Sequence, residues 1–343
     1  MELTGTKGNQ ATLGTRLSLT LRTLFSKQEF TIIFPFFIVL MFFYFRSSNG
    51  AMLNWITISS ILRTMAFPAL VAMGLVQLMI AGEIDLSTGA MMSLSAVFCA
   101  KPIRDVFVPA AIPYAVPLAV ACSLGVALLV GLLNSLIVVK IGVPAVIATI
   151  GMQFVVRGIS YSFTNGLPIY PLPPEVAYLG SLKPLGISFP FFLMLGLCLV
   201  VQLLLSRTRW GQALFATGGN KMAAQVCGIN TDRVKIICFM LTSLLAGMAG
   251  MLTMSMLPMT PGDPIIGKSL DLDILAGVVI GGVSFFGGRG SAIGTLFGVM
   301  FIQMVRSGIV IGHFDSFLQQ PVLGFLLMIA AAVDVVRNRR RDG

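Results

Sequence analysis

The chain has 343 residues, of which 56% are hydrophobic and only 10% are charged, and its mean hydropathy is +0.93. A soluble domain carries about 25% charged residues, so this composition excludes a soluble globular fold and indicates an integral membrane protein. The net charge of +10 does not indicate a nucleic-acid-binding protein, because the basic residues lie at the ends of apolar segments, where they orient membrane proteins.

Ten apolar segments follow one another along the chain, and together they predict an all-α, polytopic helical membrane protein. The segments are residues 30–46, 64–81, 86–100, 112–132, 144–164, 189–205, 234–257, 270–286, 291–311 and 319–336. A bilayer core needs about 20 apolar residues per helix, so several segments are short, and acidic residues at 83–85 and 271–273 lie at segment edges. We therefore expect one transmembrane domain at 30–336 with about ten helices, some of them broken or re-entrant.

The distribution of basic residues predicts which side of the membrane the termini occupy. An even number of spans puts both ends on one side, and cytoplasmic termini would place fifteen basic residues in the cytoplasm and six outside. We therefore predict a cytoplasmic N-terminal segment at 1–29, a cytoplasmic loop at 206–233 and a basic cytoplasmic tail at 337–343. The first segment has no clear cleavage site, so the first helix is predicted to be a retained anchor.

The loop at 206–233 is the one long polar interruption in the body of the chain, and it predicts a short helix. Asn220 can cap the sequence KMAAQVC and Gly228 can end it, because an Asn side chain accepts early N–H groups and Gly tolerates a left-handed closing turn. One face of this helix is apolar and consists of Met222, Ala223, Val226 and Cys227. That face fits either a groove of a partner protein or the lipid surface, and this stretch alone leaves both open.

Six charged residues lie in or beside the apolar segments, where insertion of a charge costs about 2.5–3.5 kcal/mol. They are Glu83, Asp85, Arg157, Asp271, Asp273 and Arg306. The stretches that begin at Ile84 and Leu270 both read apolar-Asp-Leu and run into small residues, which suggests two related five-helix halves with a pathway at their interface. The alternative is that Asp85 and Asp271 only complete helix N-termini.

Two further patterns concern packing and the outer surface. The pairs Gly277/Gly281 and Gly294/Gly298 have GxxxG spacing, which permits close helix approach, although such pairs also arise by chance among 36 glycines. The loop at 165–190 holds six of the seventeen prolines, and proline restricts the backbone. We expect a shaped outer loop that is either a docking site for an external protein or a connector.

The sequence contains no catalytic or metal-binding constellation that we can identify. The five cysteines form no CxxC pair, and the lone His313 has no neighbouring ligands in sequence. Residues 262–269, GDPIIGKS, match the phosphate-binding pattern GxxxxGK[ST], but Pro264 lacks an N–H group and the stretch lies between two membrane segments. We therefore predict that the chain is not an enzyme and holds no cofactor and no metal.

Several ordered motifs resemble the permease subunits of bacterial ribose- and xylose-type ABC sugar importers over nearly the whole length. Residues 83–89, EIDLSTG, are similar to the family element G-I-D-L-S-V-G, and 156–158 and 164–166 resemble its R-G and T-N-G positions. Residues 208–211, 216–220, 223–224 and 228–230 are similar to its cytoplasmic loop. Leu272 and Asp273, followed by Gly281 and Gly282 and by the sequence GGRG at 287–290, resemble its late glycine-rich segment.

The resemblance implies a permease that works as half of a transmembrane pair, with a second copy or a related permease. It also implies cytoplasmic ABC ATPase subunits, an extracytoplasmic solute-binding protein and a location in the bacterial inner membrane. The predicted ATPase-coupling residues are Arg209, Gly211, Gly218, Gly219, Asn220, Met222, Ala223, Ala224, Val226 and Gly228. The predicted residues of the translocation pathway or its gate are Glu83, Asp85, Ser87, Arg157, Asn165, Asp271 and Asp273.

Two residues depart from the family pattern: Glu83 replaces a small residue and Trp210 replaces a small aliphatic one. Two other functions remain open from the sequence. One is an ion-coupled secondary transporter that uses Asp85, Asp271 and Asp273 as ion sites, and the other is an ABC permease for amino acids or nucleosides. The leading prediction is an ABC permease for a small polar sugar or sugar-like solute.

Overall fold

A computed structural model describes residues 30–112, 114–256 and 270–342 of the chain. The predictions for the segment 1–29 and for the phosphate-loop-like sequence at 262–269 lie outside these residues. The described parts are helical, connected by turns and short 3₁₀ or π segments. The prediction of an all-α polytopic membrane protein is confirmed.

Thirteen α-helices are present in the described residues, and we number them in chain order. They are α1 (Phe30–Arg46), α2 (Trp55–Ile80), α3 (Thr88–Pro102), α4 (Ala115–Ser135), α5 (Ala145–Thr164), α6 (Tyr178–Ser181), α7 (Phe189–Arg207), α8 (Arg209–Gly219), α9 (Lys221–Val226), α10 (Thr231–Met256), α11 (Leu270–Ile280), α12 (Ala292–Ile311) and α13 (Gln319–Asp342).

Seven of the described helices are long and apolar enough to cross a membrane. Each of the ten apolar segments contains one major helix, but α1, α3 and α11 fall outside the seven. Helix α3 has 15 residues and α11 has 11, so they extend about 22 and about 16 Å, less than the roughly 30 Å of a hydrocarbon core. The predicted count of ten spans is not confirmed.

Burial separates the helices of the core from those at the periphery. Of the 18 most apolar consecutive residues in each span, 78% are buried in α2. Only 6% are buried in the last span, Ser316–Val336, which contains most of α13. Helix α10 contacts α2, α3 and α4 and lies inside the bundle. A Cβ added at Gly250 of α10 would lie 2.0 Å from the carbonyl oxygen of Met92 in α3, so the backbones of α10 and α3 pack in direct contact.

The two GxxxG pairs pack against each other between α11 and α12. A Cβ added at Gly298 would lie 2.0 Å from the carbonyl oxygen of Gly277, and one at Gly294 would lie 2.3 Å from that of Gly281. Each pair leaves the space that the backbone of the other helix fills. Neither position accepts alanine without moving one helix, so the spacing here reflects packing rather than chance.

The predicted repeat between the stretches at Ile84 and Leu270 is not confirmed. Asp85 precedes α3 and lies in a turn, whereas Asp271 is the second residue of α11. The proline-rich loop at 165–190 contains α6 and short 3₁₀ turns. It is held against the end of α10, because the Gly180 N–H donates to Ser255 Oγ at 2.8 Å.

Candidate functional site

Helix α9 has the ends that the sequence predicted. The Asn220 side chain accepts from the Ala223 N–H at 3.0 Å, which caps the first turn. Gly228 has a φ of +83°, and the Ile229 N–H donates to the Ala224 carbonyl at 3.0 Å. This 6→1 hydrogen bond is the Schellman closure of a helix end, so the local sequence fixes both ends of α9.

The apolar face of α9 is uncovered. Val226 is 88% exposed and Met222 is 73% exposed, and Ala223 and Cys227 are exposed beside them. Ala224 is buried, at 3% exposure. Of the predicted coupling residues in this helix, Ala224 therefore seats it on the protein, and the others present a small apolar surface outward.

Helix α8 holds α9 in place through contacts too close for a side chain. A Cβ at Gly218 would lie 1.8 Å from the Ile80 carbonyl oxygen and 2.7 Å from the Gly288 nitrogen. The Gly288 N–H itself donates to that same oxygen at 2.8 Å. At the other end of α8, a Cβ at Gly211 would lie 2.2 Å from the carbonyl oxygen of Leu205. Gly211 and Gly218 thus fit α8 to the bundle.

The remaining predicted coupling residues lie at the surface. Arg209, Gly219 and Asn220 are exposed, and Gly219 has no atom within 4 Å of an added Cβ. A polar contact also fixes α8 to the bundle, because Trp210 Nε1 donates to Gln77 Oε1 of α2 at 3.0 Å. Glycine contacts and one hydrogen bond therefore hold α8 to the bundle, and α9 packs against α8 with Ala224 buried.

A second group of predicted residues lies inside the bundle around Asp85. This carboxylate is 1% exposed and accepts from the Ser87 backbone N–H at 2.8 Å and from Ser87 Oγ at 2.6 Å. Asn134 of α4 donates to Ser87 Oγ at 3.0 Å and lies 3.5 Å from Asp85 Oδ2. In the same turn, the Leu86 N–H donates to Thr149 Oγ1 of α5 at 3.1 Å. The turn before α3 is thereby tied to α4 and α5.

Asp271 connects the start of α11 with the start of α3. Its Oδ1 accepts from the Gly89 N–H and, at 3.3 Å, from Thr88 Oγ1. Its Oδ2 accepts from Gln153 Nε2 and, at 3.2 Å, from Arg157 Nη2, both on α5. The N-terminal ends of these two short helices therefore meet at one carboxylate, where helix dipoles favour negative charge. Asp271 therefore accepts a backbone N–H group at the N-terminus of α3, as the alternative interpretation expects, and it also forms an ion pair with Arg157.

Asp273 lies on the opposite side of α11. It pairs with Arg306 of α12, whose Nη1 lies 3.4 Å from Gln319 Oε1 of α13. Two Asp–Arg pairs with buried carboxylates and partly exposed arginines therefore hold the first turn of α11, one toward α5 and one toward α12. Of the predicted pathway residues, Asp85, Ser87, Arg157 and Asp271 come together, and Asp273 does not join them.

Glu83 and Asn165 also lie away from this cluster. Glu83 Oε1 pairs with Lys235 Nζ of α10 at 2.5 Å. Asn165 follows the last residue of α5 with a φ of +52° and is exposed, two turns beyond Arg157. The structure thus divides the seven predicted pathway residues among four places.

The cluster includes partners that the sequence analysis did not single out. Thr149, Gln153 and Arg157 recur every fourth residue on α5, so they form a polar stripe on one helix face. That spacing is the signal that could have found Thr149 and Gln153. Asn134 stands within an apolar run and had no such periodic companion. In the described residues, no group of three or more His, Cys, Asp or Glu side chains is placed to hold a metal ion.

Comparisons with known proteins agree with this architecture. Residues 57–331 match the family model described as branched-chain amino acid transport system, permease component. The chain is 38% identical over 282 residues to the probable ABC transporter permease protein YphD of Escherichia coli K12, which covers 82% of each chain. It is 36% identical over 288 residues to the ribose import permease protein RbsC of Bacillus subtilis 168, covering 83% of this chain and 87% of that one.

The autoinducer 2 import system permease protein LsrC of Photorhabdus laumondii is 29% identical over 265 residues, 77% of each chain. No solved structure matches the chain. The family model covers most of the chain, and its relatives are transport permeases of similar length. The chain therefore belongs to this family of ABC transporter permeases and is a multi-pass membrane protein.

Proposed function

We propose that this chain is the membrane-spanning permease subunit of an ABC importer that carries a small polar sugar or sugar-like solute into the cell. Partner ATPase subunits supply the energy, and an extracytoplasmic solute-binding protein delivers the solute. Similarity to permeases named for ribose and for autoinducer 2 import supports the sugar-like substrate. The family relationship favours this function over the ion-coupled alternative.

The observation that carries the proposal is the uncovered apolar face of α9. A helix of six residues does not hold its shape alone in water, and here caps and close backbone contacts hold it while Met222 and Val226 project outward. An apolar face on a rigid seat suits insertion into a groove of a partner protein. We assign that groove to the ATPase subunit, with α9 as the lever that ATPase closure displaces.

The charge distribution supports the side of the membrane. Fifteen basic residues against six favour cytoplasmic termini in the inner membrane, and the same orientation puts α8 and α9 in the cytoplasm, where the ATPase subunits work. The proline-rich loop at 165–190 then faces outward, and we assign it to contact with the solute-binding protein.

The polar stripe on α5 supports a translocation pathway beside Asp271. The side chain of Arg157 is 23% exposed in this single chain, although Arg157 lies in the fourth turn of the membrane-spanning helix α5. A charged group at that depth does not face lipid without a large cost. We therefore propose that this side of α5 faces a polar pathway whose other wall is a second permease copy or a related permease.

An aspartate on the apolar face of α9 tests the proposal. In the assembled transporter, Val226→Asp should weaken co-purification of the ATPase subunit and lower ATP hydrolysis by about tenfold or more, because a carboxylate would have to be buried in an apolar groove. Gln212→Glu is the matched control, since it adds the same charge at an exposed position of α8. Unchanged co-purification and hydrolysis in Val226→Asp, with normal membrane insertion, would contradict the proposal.

A permease for amino acids is the second candidate, because the matching family model is described by branched-chain amino acid transport. The decisive measurement is ligand binding by the solute-binding protein that works with this chain. Calorimetry with a panel of pentoses, hexoses and branched-chain amino acids distinguishes the two. Binding of an amino acid and of no sugar in the panel would replace the sugar assignment.

A further inference from the structure

An ion pair links the turn that carries Asp85 to the helix that follows α9. Glu83 Oε1 and Lys235 Nζ are 2.5 Å apart, and their side chains are 17% and 13% exposed. The pair between Lys140 and Asp232, on the neighbouring surface, has side chains that are 58% and 36% exposed. Because water screens the Glu83–Lys235 pair much less than such a surface pair, its separation is more costly.

On one side of the ion pair, the connection to α9 is short. Only residues 227–230 separate α9 from α10, and Lys235 lies in the second turn of α10. The link is hydrogen-bonded, because Gln225 Nε2 donates to Thr231 Oγ1 at 3.0 Å and the Arg233 N–H donates to Asn230 Oδ1 at 2.9 Å. A displacement of α9 therefore moves the first turns of α10.

On the other side, Glu83 directly follows the turn that ends α2, and Asp85 lies two residues further along the chain. The Glu83 N–H donates to the Leu78 carbonyl at 3.1 Å, and Gly82 has a φ of +86°, so this turn closes α2 in a fixed shape. Two residues later, Asp85 is held by Ser87 and Asn134. Movement of the Glu83 side chain therefore acts on the carboxylate cluster through a short and ordered stretch of backbone.

We propose that the Glu83–Lys235 ion pair is the contact through which displacement of α9 reaches the buried carboxylate cluster. The inference rests on the proposed function of α9 as the ATPase contact and adds the route to the membrane interior. Glu83 and Lys235 are positioning residues, since they act on Asp85 through the backbone turn.

A cysteine in the turn reports the movement without knowledge of the solute. The five native cysteines are replaced, and Ile84→Cys is introduced, because Ile84 is half-buried between Glu83 and Asp85. The full transporter is reconstituted with its ATPase subunits, and labelling by a small methanethiosulfonate reagent is timed with and without ATP plus vanadate. With the ion pair intact, we expect trapping to change the labelling rate by about fivefold or more.

Glu83→Gln and Lys235→Met should each remove most of this nucleotide-dependent change while ATP hydrolysis continues. The charge-reversed double variant, Glu83→Lys with Lys235→Glu, should restore it. Lys140→Met is the matched control, because it removes an exposed lysine from another pair beside α10 and should leave the change intact.

The outcomes separate the two proposals. If labelling of the intact-pair protein does not respond to nucleotide and Val226→Asp leaves hydrolysis unchanged, the proposed function of α9 fails. If the intact-pair protein responds and both single variants respond equally, the ion-pair inference fails alone. If both single variants give no monodisperse transporter, the ion pair serves folding, and the coupling role is overturned.

Discussion

The surface helix α9 and the buried carboxylate cluster satisfy opposite conditions. In α9 the backbone is satisfied by Asn220 and by the Gly228 closure, while the apolar side chains of Met222 and Val226 remain uncovered. In the cluster, Asp85 and Asp271 are 1% and 4% exposed, and hydrogen-bond donors surround them. An exposed apolar face is completed by another molecule, whereas a buried carboxylate must be completed within the chain.

The contrast separates the surface that requires a partner protein from the site that is complete within the chain. Close glycine contacts join the two regions, since Gly218 of α8 packs on the end of α2 at Ile80, and the turn with Asp85 begins directly after it. The exposed helix α9 and the buried carboxylate cluster are thus connected through α8 and the end of α2. Substitutions at the contact of Gly218 with Ile80, in the carboxylate cluster and at the Trp210–Gln77 hydrogen bond should therefore differ in their effects.

The largest effect is expected when the contact between Gly218 of α8 and the end of α2 is disrupted. Gly218→Val would place side-chain atoms where the Ile80 carbonyl oxygen now lies, 1.8 Å from the added Cβ. We expect a destabilisation of about 3 kcal/mol or more and little monodisperse protein in detergent, measured by size-exclusion chromatography and thermal unfolding. Gly219→Ala is the matched control, because an added Cβ there has no neighbour within 4 Å. Equal stability of the two variants would contradict the packing of α8.

A smaller effect is expected when only the buried carboxylate cluster is changed. Asp271→Asn keeps an oxygen for the Gly89 N–H but removes the charge that faces Arg157. We expect solute uptake to fall by about tenfold, a change of about 1.4 kcal/mol, while ATPase co-purification stays normal. Uptake in proteoliposomes, with the ligand of the partner binding protein, is the measurement.

Asp273→Asn gives the matched comparison on the other side of α11, where Arg306 is the partner. If Asp273 is also a pathway residue, its variant should lose uptake as much as Asp271→Asn does. If it only holds α11 against α12, thermal stability should fall more than uptake. Normal uptake in Asp271→Asn would remove the cluster from the proposed pathway.

The smallest effect is expected for the polar tie between α8 and α2. Trp210→Phe removes the indole N–H and leaves Gln77 Oε1, in a residue that is 3% exposed, without this donor. The expected destabilisation is about 1 kcal/mol, seen as a lower unfolding temperature. The double variant Trp210→Phe with Gln77→Leu should recover most of the loss, since both polar groups are then gone. Failure to recover would show that the indole acts mainly by packing.

Much of the fold was predictable because it depends on local patterns. Each apolar segment contains a major helix, although the lengths of α3 and α11 did not follow from hydrophobicity alone. The candidate site was predictable in part. The cluster contains four of the predicted residues, Asp85, Ser87, Arg157 and Asp271. Glu83 pairs with Lys235 and Asp273 pairs with Arg306 instead, because side chains close together in sequence face different helices.

Local sequence patterns were sufficient to predict the membrane class, the helical segments and both ends of α9. Hydrophobic length acts within one segment, and an Asn cap and a left-handed glycine act over a few residues. Which polar groups meet depends on how the helices pack. Glu83 and Lys235 are 152 residues apart, Asp271 and Gln153 are 118 apart, and Gly218 fits against the end of α2. These contacts depend on which helices pack side by side, and that choice is made by shape and burial across the whole bundle rather than by any spacing along the chain.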